Sequence, residues 1–153
     1  MTETLLQGDC LKLLKEVKTN SIDLILADLP YGMTANKWDS VIPLQPLFEQ
    51  YERVIKDHGA VLLFGMGKFG ASLIVNAPSK MPYRYEWIWQ KTRPVDLLKY
   101  LIKTYTNEGM TVLDNCMGSG STGVAAKQLK RNFIGMELNK EYFEIAKQRI
   151  NEV

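Results

Sequence analysis

The sequence predicts an α/β fold built on a parallel sheet, and three features carry that prediction. Short apolar runs end at proline or glycine, stretches with apolar residues at helical spacing separate them, and a glycine-rich turn joins one run to the next helical stretch. Residues 22–28 (Ile-Asp-Leu-Ile-Leu-Ala-Asp) form the first run, closed by Pro30 and Gly32, as expected of a buried parallel strand opening into a loop. Residues 46–56 place Leu47, Tyr51, Val54 and Ile55 on one helical face, with Pro46 suited to a first turn. Residues 60–65 form a second run, begun by Gly59. Residues 83–91 alternate and are rich in aromatics, which predicts a further strand. Residues 95–105 put Val95, Leu98, Leu101 and Ile102 at helical spacing; 111–114 predicts a strand, 121–129 a helix and 132–137 a strand. Residues 141–150 close the chain as an amphipathic helix with Tyr142, Ile145 and Ile150 inward. Ligands are expected at the carboxyl ends of such strands.

Composition narrows the class. The 153 residues, 46% apolar and 24% charged, suit one domain with a core, 1–153. Nineteen Lys and Arg against 17 Asp and Glu leave a charge of +2, too small to argue for any partner. Cys10, Cys116 and the single His58 exclude a disulfide scaffold or a cysteine or histidine metal site, and imply a reducing cytoplasmic setting with no metal. No run approaches a membrane span and none reads as a leader, so a soluble, unexported protein is expected.

Two loops carry chemistry. Asp114-Asn-Cys-Met-Gly118-Ser-Gly120-Ser-Thr-Gly123 is a G-x-G-x-x-G between a strand and a helix, where the backbone can approach a ligand and the helix start offers amide donors. Glu137, ending the next strand, stands where an acid takes both hydroxyls of a ribose; its plainer reading is a strand-end carboxylate. A dinucleotide and S-adenosylmethionine compete for this loop. Asp114 would repel a pyrophosphate and pair with an α-ammonium group, which favours S-adenosylmethionine; a helix cap is its plainer reading. The second loop, Asp28-Leu29-Pro30-Tyr31, offers a carboxylate, a stiffened backbone carbonyl and a flat ring, the set that holds a planar amine of a flipped base; alone it also reads as a turn.

Together these residues resemble a known family. Asp28-Leu-Pro-Tyr31 is similar to the Asp-Pro-Pro-Tyr motif of DNA amino-methyltransferases, and Asp114-Asn-Cys-Met-Gly-Ser-Gly120 to their Asp-Pro-Phe-x-Gly-x-Gly cofactor loop. The catalytic motif comes first, the circularly permuted order of the β-group enzymes. Gly8-Asp9-Cys10 with Leu11, Leu13 and Leu14 resembles the opening segment, whose Asp sits near the cofactor's adenine; 86–91 resembles the strand before the target-recognition region; 94–102 resembles the helix beside the methionine end; and Gly135-Met-Glu137 with Tyr142 resembles the ribose-binding acid and its helix.

The resemblance implies a Rossmann-like, S-adenosylmethionine-dependent methyltransferase sheet, with a catalytic half at 1–91 and a cofactor half at 92–153. Asp9, Cys10, Asp28, Asp114, Cys116, Gly118, Gly120 and Glu137 would bind the cofactor. Asp28 and the Leu29 carbonyl would hold the exocyclic amine of a flipped adenine while Tyr31 stacks on it. Asp at position 28 resembles the adenine-N6 members, where cytosine-N4 members typically carry Ser.

Two departures stand out. Cys116 replaces the usual Phe, and only Thr92 and Arg93 occupy the place where the family has a further strand and its target-recognition region. A sheet lacking one strand, open beside 59–65, is therefore expected, with DNA recognition reduced or supplied by a second copy or a separate subunit. Lys37, Lys68, Arg84, Lys91 and Arg93 are candidate phosphate contacts, and Trp38, Trp87 and Trp89 candidate stacking residues, though a solvated or packing role is commoner for each. A non-catalytic cofactor-binding module, a cytosine-N4 enzyme and a small dinucleotide oxidoreductase are the competing readings.

Overall fold

The computed structural model describes residues 1–32, 40–89 and 94–153, without the side chains of 94–96. The chain opens with β1 (Glu3–Gln7), α1 (Cys10–Leu13), a short 3-10 turn and β2 (Ile22–Ala27). There follow α2 (Leu44–Val54), β3 (Ile55–Leu63), α3 (Gly67–Val75) and α4 (Pro94–Tyr105). It ends with β4 (Thr111–Asp114), α5 (Ser121–Gln128), β5 (Asn132–Glu137) and α6 (Lys140–Asn151). The strands form one sheet in the order β1-β5-β4-β2-β3, every pair parallel.

All six residues of β2 are buried, as a strand with parallel neighbours on both sides and helices on both faces requires. One face packs Ile25, Ala27, Leu113 and Met136 against Leu14, Leu47, Tyr51, Val54, Phe69 and Leu73 from α1 to α3. The other packs Leu24, Leu26, Val112 and Phe133 against Leu101 and Ile102 of α4, Ala125 and Ala126 of α5, and Ala146 and Ile150 of α6. Each fully buried Leu or Ile contributes about 1.5–3 kcal/mol relative to exposure.

The winding reverses between β2 and β4. From β2 the chain crosses by α2 to β3; from β4 it crosses by α5, on the opposite face, to β5. A crevice opens at such a reversal, beyond the carboxyl ends of the two strands. Asp114 ends one of them and Asp28 follows the other.

Several sequence expectations are corrected. Residues 83–89 form no strand; 90 and 91 lie outside the described residues. Alternation records a capacity to pair, and a strand exists only where an edge accepts it. Here Tyr85 and Trp87 instead bond the Tyr105 hydroxyl at 2.6 and 3.0 Å. In α6, Tyr142 and Ile145 face solvent at 41% and 45% exposure, and Ala146 and Ile150 face the core. β3 starts at Ile55 rather than 60, so the helix before it stops at Val54. Three elements lie outside the sequence expectations: β1, the short α1, and α3, whose two glycines mask its helical pattern. Among the described residues, β3 is an edge strand, paired with β2.

Candidate functional site

Four carboxylates stand at the carboxyl ends of four strands: Asp9 after β1, Glu137 on β5, Asp114 on β4 and Asp28 after β2. Asp9 caps α1, accepting from the Leu11 N–H at 2.9 Å. Glu137 binds backbone with both oxygens, accepting from Gly118 N–H at 3.0 Å and Asn139 N–H at 2.7 Å. Each oxygen retains a lone pair for a further donor. Asp114, 3% exposed, accepts from the Cys116 N–H at 3.0 Å and so braces the turn, while Gly120 rather than Asp114 holds the cap position of α5. None of the four forms an ion pair among the described residues.

Burial has a price at Asp114. Desolvation pushes its carboxyl up to about 7, against the Thr122 hydroxyl and Cys116 N–H, which favour ionisation; the nearby charges of Asp28 and Glu137 push it further up. A cation entering between these acids would relieve all three. Among the described residues no cluster of His, Cys, Asp or Glu has the arrangement of a metal site.

The glycines of the turn divide their work. Gly118 and Gly120 have φ of +50° and +81°, where other side chains are strained. A Cβ at Gly118 would meet nothing within 4 Å, so this position leaves room for a ligand against the backbone. A Cβ at Gly120 would lie 2.9 Å from that of Ala146, so this glycine, like Gly123 against Ile150, serves helix packing.

In the second loop, the Tyr31 hydroxyl donates to Asp28 Oδ1 at 2.8 Å, leaving the other carboxylate oxygen of the exposed Asp28 available. Burial, with the Asp28 bond and charge, raises the Tyr31 ionisation, so the phenol remains a neutral donor. One face of its ring stacks on Phe69 of α3, centroids 4.8 Å apart. Leu29 is buried and Pro30 half-buried. Of the candidate DNA contacts, Lys68, Arg84, Trp87 and Trp89 are exposed; Lys37, Trp38, Lys91 and Arg93 lie outside the described residues.

Known proteins resemble this chain in sequence and in fold. Residues 78–148 match the model of a family described as DNA methylase. The Type II methyltransferase M2.LlaDCHI of Lactococcus lactis subsp. cremoris is 47% identical over 60 residues, 39% of this chain and 22% of that protein. The Type II methyltransferase M2.MboI of Moraxella bovis is 25% identical over 237 residues, covering 96% of this chain and 87% of its own length. The crystal structure of TTHA0409, a putative DNA modification methylase from Thermus thermophilus, complexed with S-adenosyl-L-methionine, superposes with a TM-score of 0.75 at 17% identity, covering 99% of this chain and 95% of that one. The chain is similar to DNA methylases in sequence and in fold.

The sequence reading brought together Asp28, Asp114, Gly118 and Glu137 but missed the residues that hold them. Asn115, 2% exposed, accepts from the buried Tyr51 hydroxyl at 2.5 Å and donates to Cys116 Sγ at 3.4 Å. Arg149 of α6 donates to the Ser119 carbonyl and hydroxyl at 2.6 and 2.7 Å, clamping the glycine turn. Phe69 supports Tyr31. A signal existed only for Asn115, which stands where the family motif carries Pro.

Proposed function

We propose that this chain is the catalytic core of an S-adenosylmethionine-dependent DNA methyltransferase of the permuted β-group, acting on adenine N6 in the cytoplasm. The observation that carries the reading is the convergence of Asp28, Asp114 and Glu137, with no ion-paired cation among the described residues, beside the open backbone at Gly118. Such a site favours a ligand bearing an ammonium and a sulfonium, and disfavours a pyrophosphate. The donor set fits S-adenosylmethionine: Asp114 for the α-ammonium, Glu137 for ribose hydroxyls, Asp9 and Cys10 at the adenine end, and Cys116, Gly118 and Gly120 along the turn. When bound, that cofactor supplies an electrophilic methyl group on sulfur.

Asp28 Oδ2 and the Leu29 carbonyl, on a backbone stiffened by Pro30, accept the two N–H bonds of the target amine. This favours the pyramidal amine, whose lone pair is otherwise delocalised into the base. Tyr31, fixed by Asp28 and Phe69, orients the carboxylate and presents its free ring face to the flipped base. Residues 1–91 form the catalytic half and 92–153 the cofactor half of one domain. The alignment to M2.MboI spans 237 residues against a chain of 153, which supports an internal shortening; recognition of the DNA site then falls to a second copy or a separate subunit.

The test is radiolabelled methyl transfer to unmethylated DNA followed by nucleoside analysis. N6-methyladenine is expected; N4-methylcytosine would move the assignment to the cytosine enzymes. Binding of S-adenosylmethionine without transfer would leave a non-catalytic module.

A further inference from the structure

The chain's near-neutral charge hides an uneven distribution. Residues 80–105 hold six Lys or Arg against two Asp or Glu, a surplus of +4 where the whole chain has +2, so the remainder is net acidic. The same stretch holds six of the chain's ten Tyr and Trp. The fold gathers several of these residues into one surface. Tyr85, Trp87 and Tyr100 are 58%, 53% and 53% exposed, yet they are fixed in place. The Tyr85 and Tyr105 hydroxyls share a hydrogen bond at 2.6 Å, and the Trp87 indole N–H donates to the Tyr105 hydroxyl at 3.0 Å. Trp87 meets Tyr85 and Tyr100 edge to face, with centroids 6.2 and 5.9 Å apart. An edge contact uses at most one ring face, so open faces remain on rings already held in position. Exposed Arg84 precedes Tyr85, and exposed Lys103 stands one turn from Tyr100 on α4. Neither has an ion-pair partner among the described residues. The chemistry at the Asp28 loop uses none of these side chains.

We propose that Tyr85, Trp87 and Tyr100, flanked by Arg84 and Lys103, form a stacking surface that anchors single-stranded DNA without reading its sequence. Every base has a π face that can lie on an aromatic ring, and the two cations meet the phosphates between bases. A duplex keeps its base faces inside its own stack, which leaves only the phosphate contacts. A protein partner would favour a patch whose centre is depleted of Lys and other charges, whereas here unpaired cations sit beside the rings. An unpaired strand also spares the cost of extruding a target base from a helix. The choice of DNA as the nucleic acid rests on the function proposed above; the stacking surface does not.

The test follows binding of a fluorescein-labelled oligothymidine of about 20 nucleotides to the full chain by anisotropy. The probe carries no adenine, so its binding is independent of methyl transfer. It is expected to bind at least about tenfold more tightly than a duplex of the same length, and at least about fivefold more weakly to Trp87→Ala. Tyr100→Ala, at an exposed helical position, should weaken it similarly, and Trp87→Phe, which keeps a ring, should retain most of the affinity. Lys103→Ala should reduce the slope of log affinity against log salt by about 0.7. No binding, equal or tighter binding of the duplex, or unchanged affinity in both alanine variants at the rings would overturn the surface. So would a dimer in sedimentation velocity that Trp87→Ala dissociates, which assigns the patch to a second copy. Tighter binding of oligouridine than of oligothymidine overturns the choice of DNA. Intact oligothymidine binding in a chain that transfers no methyl group to DNA indicts the functional reading instead.

Discussion

The two flanks of the β2–β4 crevice are built differently. On the β4 side, Phe133, Ala146 and Ile150 are at most 1% exposed, Arg149 clamps the glycine turn, and Arg131 bonds the Thr106 carbonyl and hydroxyl at 2.6 and 3.0 Å. Lys127 adds an ion pair to Glu3 at 3.1 Å and a bond to the Ile150 carbonyl, fastening α5 to β1 and α6. On the β3 side, an edge strand is followed by a segment whose aromatics meet mainly α4. Tyr85 and Trp87 bond Tyr105, while Tyr83, Trp89 and above all Ile88, 94% exposed, face solvent. The difference teaches that the β4 flank is tied together by contacts within this chain, whereas the β3 flank presents apolar surface that no described residue covers.

The largest expected effect is on chemistry at the Asp28 loop. Asp28→Ala should lower methyl transfer by at least about 100-fold while cofactor binding remains measurable by calorimetry. Retained turnover would remove the catalytic role of the loop. On the packed flank, Gly120→Ala places a Cβ against Ala146 at a left-handed position, and should cost about 2 kcal/mol in urea unfolding. Tyr51→Phe leaves Asn115 Oδ1 buried without its donor and should cost about 1.5 kcal/mol by the same measurement. A change below about 0.5 kcal/mol in either would contradict the tight packing inferred there.

Asp114 gives a pH signature. Its carboxyl sits at about 7 in the folded chain, against about 4 when unfolded, so between these values the folded chain holds a proton that the unfolded chain has released. Stability of the free chain therefore falls as pH rises through that window and levels off above about 7. Affinity for S-adenosylmethionine, which needs the ionised acid, should instead climb toward about tenfold per unit below pH 7. Titration calorimetry across pH 5–8 checks this, and Asp114→Asn should flatten both profiles. The smallest effect belongs to the open flank: Ile88→Ser should change unfolding stability by less than about 0.5 kcal/mol. A larger cost would show that this segment is packed after all.

The legible parts of the fold are those whose residues state their own environment. The runs in β2, β4 and β5 are apolar because helices cover both faces, and their ends carry the Pro, Gly and acidic residues of the two loops. β1 was invisible because Glu3–Gln7 mixes polar and apolar residues at a sheet edge. Residues 83–89 misled for the converse reason, since their aromatic alternation fits a strand whatever edge is present. In α6, Ile150 faces the core as its spacing predicts, but Ile145 faces solvent because small Ala146 fits the packed face where Ile145 does not.

By itself, then, the sequence determined the α/β order, the strand-end loops and the acidic residues within them, all properties of residues close along the chain. Only the tertiary structure decided that Asp114 is sealed from water beside two other acids, that Tyr51 holds Asn115, and that Phe69 backs Tyr31. It also decided that β3 is an edge among the described residues. These contacts join segments far apart in sequence, and the energies that make them matter, desolvation and hydrogen bonding in a dry interior, exist only once folding has removed the water.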